Sequence, residues 1–159
     1  MTELTHIDTD GNAVMVDIMK KNESERIAIA AGSIFMKSTT LELINKRAVK
    51  KGDVLSIAQI AGIMGSKRTP DLIPLCHPIN LTSVNLILTP IIDDSSISIE
   101  ATCKVVGKTG VEMEALTAVT VTALTIYDMC KAADREMRIS DIRLTYKAGG
   151  KSGEYREIE

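Results

Sequence analysis

The chain has 159 residues, enough for one domain with a real core, and 45% of them are apolar, the ordinary share for a globular protein. Lysine and arginine number 19 against 21 acids, so the net charge is −2 and the basic excess of a polynucleotide binder is missing; a small anionic ligand needs only a few local cations. With one Phe, three Tyr and no Trp, the core must be aliphatic, and base-stacking platforms for single-stranded nucleic acid are disfavoured.

Residues 1–12 are polar and are expected to be a flexible segment, without the apolar stretch of a signal peptide. Segments 13–19 and 26–36 are rich in Val, Ile and Ala with partial alternation, which predicts two short strands. Ser38 is placed to cap a helix over 39–47. Asp53 is placed to cap another over 54–66, where Val54, Ile57, Ala58, Ala61 and Met64 recur at helical spacing and Gly65 reads as the stop. Pro70, Pro74 and Pro78 bar any long regular element from the stretch that follows.

Segments 79–92 and 95–106 alternate well and are joined by Asp93, Asp94, Ser95 and Ser96, a hairpin signal. The tract 111–134 is rich in Thr and Val but too long for a strand. Acids open it and Lys131 lies near its end, as a helix dipole favours, so a long helix is expected. Its small Thr and Ala residues would let another element come close. Segment 139–147 is a final strand, and 149–159 is expected to be a flexible tail. The order suits a single α+β domain over 13–148, an antiparallel sheet with helices on one face. Cys76, Cys103 and Cys130 stand far apart and form no CxxC pair, which fits a reducing compartment. No apolar run reaches the ~18 residues of a membrane span, and the cytoplasm is the expected location.

Several motifs carry chemistry only conditionally. Gly107-Lys108-Thr109 and Gly150-Lys151-Ser152 lack the upstream Gly of a P-loop, since Thr102 and Thr145 stand there. Each is either a local anion nest or a plain exposed turn. His77, held between Pro74 and Pro78, is either an oriented acid, base or anion donor or a hydrogen-bonded loop histidine. Cys76-His77 is poor metal spacing, and no metal site is expected.

Glu112 and Glu114 either stabilise the helix dipole or accept N–H bonds from a guanine-like edge; their charges would repel phosphate from that end. Asp128 and Lys131 lie at i, i+3 and are either a surface ion pair or a partly buried acid–amine pair with shifted pKa values. Glu114 and Asp128 fall within about 40° around the helix axis but ~21 Å apart along it. That is too far to grip one reacting centre. They would hold the two ends of an extended ligand, or an antiparallel neighbouring subunit would bring its Glu114 to this Asp128. Most surface lysines simply solvate the chain; Lys51 at a helix entrance and Lys67-Arg68 just past that helix are the better anion candidates, and Arg26, Lys147 and Lys151 are further phosphate candidates.

The tracts KGDVLSIAQIAGI (51–63), SKRTPDLIPLCHPI (66–79), GKTGVEMEALTAVTVTALTIYDMCKA (107–132) and GGKSGEYR (149–156) resemble the cyclic pyranopterin monophosphate synthase family, the C proteins of molybdenum cofactor biosynthesis. The resemblance covers nearly the whole chain. It implies a ferredoxin-like α+β fold, a homohexamer built as a trimer of dimers, and active sites at the dimer interface. It implies rearrangement of 3′,8-cyclo-7,8-dihydro-GTP to cyclic pyranopterin monophosphate with release of pyrophosphate. By motif match, Leu75, Cys76, His77, Met113 and Glu114, with Glu112 beside them, correspond to substrate-binding positions. Asp128 corresponds to the catalytic residue, with Lys51 and Lys131 as its partners. No cofactor is expected, and magnesium only on the substrate's phosphates. An oligomeric nucleotide sensor without turnover, and a metal-dependent hydrolase, are the competing expectations.

Overall fold

The computed structural model describes residues 6–158; residues 1–5 of the expected flexible N-terminal segment lie outside the described residues. The first long strand, β1 (Ser24–Phe35), alternates so that Ala28, Ala30, Gly32 and Ile34 face inward. Two helices follow, α1 (Ser38–Asn45) and α2 (Val54–Ser66), then the single turn α3 (Thr69–Leu72) in the proline-rich stretch. The hairpin is β2 (Ser83–Ile91) and β3 (Ser96–Gly107). The long helix α4 (Glu112–Cys130) leads to β4 (Arg138–Ala148) and the two-residue β5 (Tyr155–Arg156), a strand within the expected tail.

The strands form one antiparallel sheet in the order β2-β3-β1-β4-β5. With α2 and α4 as the crossovers, the first four strands give the ferredoxin-like arrangement expected. Register puts Ala28 opposite Cys103, Ala30 opposite Ala101 and Ile34 opposite Ile97, so the small and branched residues of β1 and β3 share the inner face. There α4 covers them: a Cβ on Gly32 would lie 2.7 Å from a methyl of Val119.

The helices approach one another through small residues, as the composition of α4 suggested. A Cβ on Gly62 would collide with the Thr122 hydroxyl and lie 2.9 Å from the Ala118 carbonyl, and one on Gly65 would lie 2.8 Å from Val121. Overpacking of this kind costs about 1–3 kcal/mol. The buried face of α2 is therefore Val54, Ala58, Gly62, Gly65 and Ser66, while Ile57 and Met64 are exposed. Gly65 is inside the helix as a contact surface and is not its stop, which corrects the expectation from sequence.

Three other expectations change. Segment 13–19 is not a strand: Ala13 makes an isolated bridge to Ile7, and the Asp17 carboxylate accepts the Met19 N–H in a local turn. Its alternation instead places half-buried Val16 and Ile18 against the cavity described below. Ser38 does not cap α1; Lys37 holds the N-cap position without a side-chain bond. The orphan donors there are met across the chain by buried Asp134, whose Oδ2 accepts the Lys37 N–H at 2.8 Å and the Thr40 hydroxyl at 3.4 Å. For the same reason α4 ends at Cys130 rather than 134: Asp134 is occupied with Lys37, Thr40 and the Glu136 N–H. Asp53 does cap α2, accepting the Ser56 N–H at 3.1 Å. Among the described residues no helix is long and apolar enough to cross a membrane.

Candidate active site

The candidate residues gather at the two ends of α4. At its C-terminal end, Asp128 holds two ammonium groups. Lys131 Nζ lies 2.6 Å from Oδ1, and Lys51 Nζ lies 3.4 Å from Oδ2 and 2.8 Å from the Asp128 carbonyl oxygen. Lys51 reaches it because the loop entering α2 lies against the end of α4, a placement sequence spacing alone could not give. The pair is not partly buried as its apolar neighbours suggested: Asp128 and Lys131 are 61% and 53% exposed. Met129 and Cys130 turn into the core and leave Asp128 on the open side of the helix.

The hydrogen bond from Lys131, then that from Lys51, holds the Asp128 carboxyl below the usual carboxylate range. The same bond raises the Lys131 ammonium. This is a carboxylate held in its charged form between two ammonium groups, an arrangement that orients the amines and can offset anionic charge on a ligand. Beside it lies an apolar cavity of about 380 Å³, lined by Leu43, Val49, Met129 and Cys130 among others.

At the N-terminal end of α4, a second cavity of about 240 Å³ brings together Leu75, Cys76, His77, Glu112, Met113 and Glu114. The proline-bounded loop supplies the first three and the opening turn of α4 the others. Glu114 is 2% exposed, and its Oε1 is enclosed without a hydrogen-bond partner. Burial, reinforced by the charge of Glu112, pushes its carboxyl up to about 7. Burial, and secondarily Glu114, raises the Cys76 thiol and takes Cys103 to about 12, so neither is a ready thiolate. Glu112 has the opposite environment: Lys147 Nζ bonds its Oε1 at 2.9 Å and also donates to Ser152 Oγ at 3.2 Å.

This arrangement removes the reason for keeping phosphate away from the acids. Lys147 neutralises Glu112, Glu114 carries a full charge only above neutrality, and Arg26 and Lys151 line the adjoining surface. Lys67 and Arg68 join neither cluster. Lys67 is the exposed C-cap of α2, and Arg68 pairs with Asp71 at 3.3 Å. Sequence reasoning missed Val16 and Ile18 as cavity residues because the segment carrying them looked like a strand, and missed Lys21 because it lies beyond that segment in no motif.

The Glu114 environment predicts a pH dependence. Its folded pKa lies above the unfolded value of 4.5, so between the two values the folded state binds more protons than the unfolded one. This group therefore favours folding at pH 5 and loses that contribution as pH rises through about 7. Urea unfolding of the full chain should show a fall from pH 5 to pH 8 that is smaller in Glu114→Gln by an amount on the order of 2–3 kcal/mol. Equal falls in both proteins would contradict a buried, protonated Glu114.

Comparison with known proteins adds a family. The family model described as MoaC family matches residues 15–150. A cyclic pyranopterin monophosphate synthase of Rhodospirillum rubrum is 63% identical over 150 residues, which cover 94% of this chain and 90% of that protein. Proteins of the same name from Syntrophomonas wolfei and Thermoanaerobacter sp. strain X514 are 61% and 58% identical, the alignments covering 94% and 98% of this chain and 95% and 99% of those proteins.

Proposed function

The chain belongs to the MoaC family, and on that premise we propose that it is a cyclic pyranopterin monophosphate synthase acting in molybdenum cofactor biosynthesis. The substrate is 3′,8-cyclo-7,8-dihydro-GTP, and the products are cyclic pyranopterin monophosphate and pyrophosphate. What supports the reading is the identity to synthases along almost the whole chain, together with the meeting of Lys51, Asp128 and Lys131, which are remote or only turn-related in sequence.

The reaction has two parts. Opening a purine ring and closing a pterin ring needs several proton transfers, which carboxylate, amine and imidazole can supply. Closing the cyclic phosphate makes a bond from a substrate hydroxyl oxygen to the α-phosphorus. The bond from that phosphorus to its bridging oxygen breaks, the electron pair leaves with pyrophosphate, and the hydroxyl proton passes to a base. Asp128 is assigned to acid–base work and to holding Lys131. Lys51 and Lys131 move protons or offset phosphate charge, and His77 is an oriented donor. Glu114 and Glu112, with Leu75, Cys76 and Met113, receive the base.

Neither cluster is a complete site in one chain, since ~21 Å of helix separates Glu114 from Asp128. We assign the active site to two protomers, one giving the Asp128 cluster and its neighbour the Glu114 cavity, within a homohexamer of three dimers in the cytoplasm. No resident cofactor is assigned; magnesium enters, where present, on the substrate's phosphates. Incubation with the cyclised GTP and mass spectrometry should show conversion to the pterin, with one pyrophosphate released per product. Binding of the substrate without change in its mass would remove the enzyme reading and leave a nucleotide-binding protein.

A further inference from the structure

Lys51 meets Asp128 from the loop between α1 and α2, and that loop holds a strained residue. Its backbone enters positive φ twice, at Arg47 with +52° and at Gly52 with +110°. Gly52 is the residue type that adopts such a φ freely. Arg47 is not, and a side chain kept in this region is strained unless its surroundings determine it. The Arg47 N–H donates to the Ile44 carbonyl at 3.0 Å and the Ala48 N–H to the Leu43 carbonyl at 2.9 Å. That is the bond pattern of a helix end in which glycine usually takes the place Arg47 holds here.

What holds Arg47 there is Asp53. One carboxylate oxygen, Oδ1, accepts the Ser56 N–H at 3.1 Å and caps α2; the other, Oδ2, lies 3.3 Å from Arg47 Nε. A single side chain ties the end of α1 to the start of α2. Inside this tie the Gly52 N–H donates to the Val49 carbonyl at 3.0 Å, a β-turn with Lys50 and Lys51 at its two central places. Half-buried Val49 and buried Val54 anchor the chain on either side. From this turn the Lys51 amine reaches the Asp128 carbonyl and carboxylate. Lys50 has no carboxylate within ion-pair distance among the described residues. The Arg47–Asp53 pair adds little stability, because Arg47 is 79% exposed. Its effect is on geometry. A released loop lets a long, flexible lysine swing away from the last turn of α4, and a misplacement of about 1 Å can cost about 10²-fold in rate.

We propose that Arg47 and Asp53 are positioning residues for the reaction, acting through Lys51 by fixing the turn that sets its amine on Asp128. The assignment rests on the synthase reading. Neither residue lines the cavities at the two ends of α4. The two duties of Asp53 are separable. Asparagine caps a helix as well as aspartate does, so Asp53→Asn keeps the start of α2 and removes the charge that holds Arg47. Arg47→Gly relieves the backbone and removes the guanidinium. Both changes unfix Lys51 without weakening a helix, so turnover and stability respond differently.

The test has two readouts on the full-length protein. The first is mild labelling of amines with acetic anhydride, the modified lysines being located by peptide mass spectrometry. Arg47→Gly and Asp53→Asn should each raise labelling of Lys51 about three-fold relative to Lys50, its neighbour in the same turn, as the loss of one hydrogen bond implies. The second is turnover of the cyclised GTP. In each variant kcat should fall about ten-fold while KM stays within about two-fold of wild type. The double variant should be no slower than either single one, because both break one tie, and Arg47→Lys should stay near wild type. Glu42→Gln, which breaks the exposed Lys46 pair on α1, should match wild type in both readouts. The thermal midpoint of Arg47→Gly should equal or exceed that of wild type. Unchanged Lys51 labelling, unchanged kcat, or a kcat that falls only together with the thermal midpoint would overturn the proposal. Raised Lys51 labelling in a protein that makes no pterin would uphold the tie and remove the synthase reading instead.

Discussion

Asp128→Asn should keep the fold and the affinity for substrate yet lower product formation by about 10²–10⁴-fold, the usual contribution of one positioned acid–base group. The fold should survive because the side chain is 61% exposed and its two ion pairs are at the surface, where such pairs contribute little to stability. Binding should survive because the substituted amide keeps its shape and an oxygen for Lys131. What disappears is the proton acceptor and the charge that holds Lys51 and Lys131 together. Turnover, substrate affinity and thermal stability of the purified variant separate these effects. Unchanged turnover takes Asp128 out of the mechanism, while turnover and stability lost together would make it a structural residue.

Much of the fold was legible because one periodicity dominated each long element. The hairpin β2–β3 alternates over its length, and Asp53 caps α2 as its position implied. The misreadings have local causes. Segment 13–19 alternates like a strand, but alternation marks only which residues face inward; Val16 and Ile18 face a cavity rather than a neighbouring strand. Ile57 and Met64 fit a helical stripe, yet α2 is buried through its glycines, since a closer helix is obtained where side chains are absent. The cap of α1 comes from Asp134, far along the chain, and no local pattern carries that information.

The candidate site was legible as residues and not as environments. Lys51 and Lys131 meet on Asp128, and Leu75 to His77 meet Met113 and Glu114, as the motifs imply. Burial was not legible in the residues themselves. The Asp128–Lys131 pair, set among apolar neighbours, is open to solvent, whereas Glu114, in an acidic first turn that usually faces water, is enclosed and raised to about 7. Residue type fixes what chemistry is available; which face of α4 meets the sheet decides the proton affinity. Arg26 and Lys151 were scattered candidates in the sequence, Lys20 and Lys21 were not singled out, and only the fold sets Lys151 beside them.

The composite site is the claim on which the assignments depend, and subunit mixing tests it most directly. Asp128→Asn and Glu114→Ala proteins should each be nearly inactive. If each site takes Asp128 from one protomer and Glu114 from its two-fold partner, a mixed dimer holds one intact site and one doubly altered site. Random exchange makes half of the dimers mixed, so an equimolar mixture should recover about a quarter of wild-type activity. Native mass spectrometry of the mixture establishes that exchange occurred. Activity near a quarter is the predicted result; mixed oligomers that form and stay as inactive as either parent would contradict the shared site.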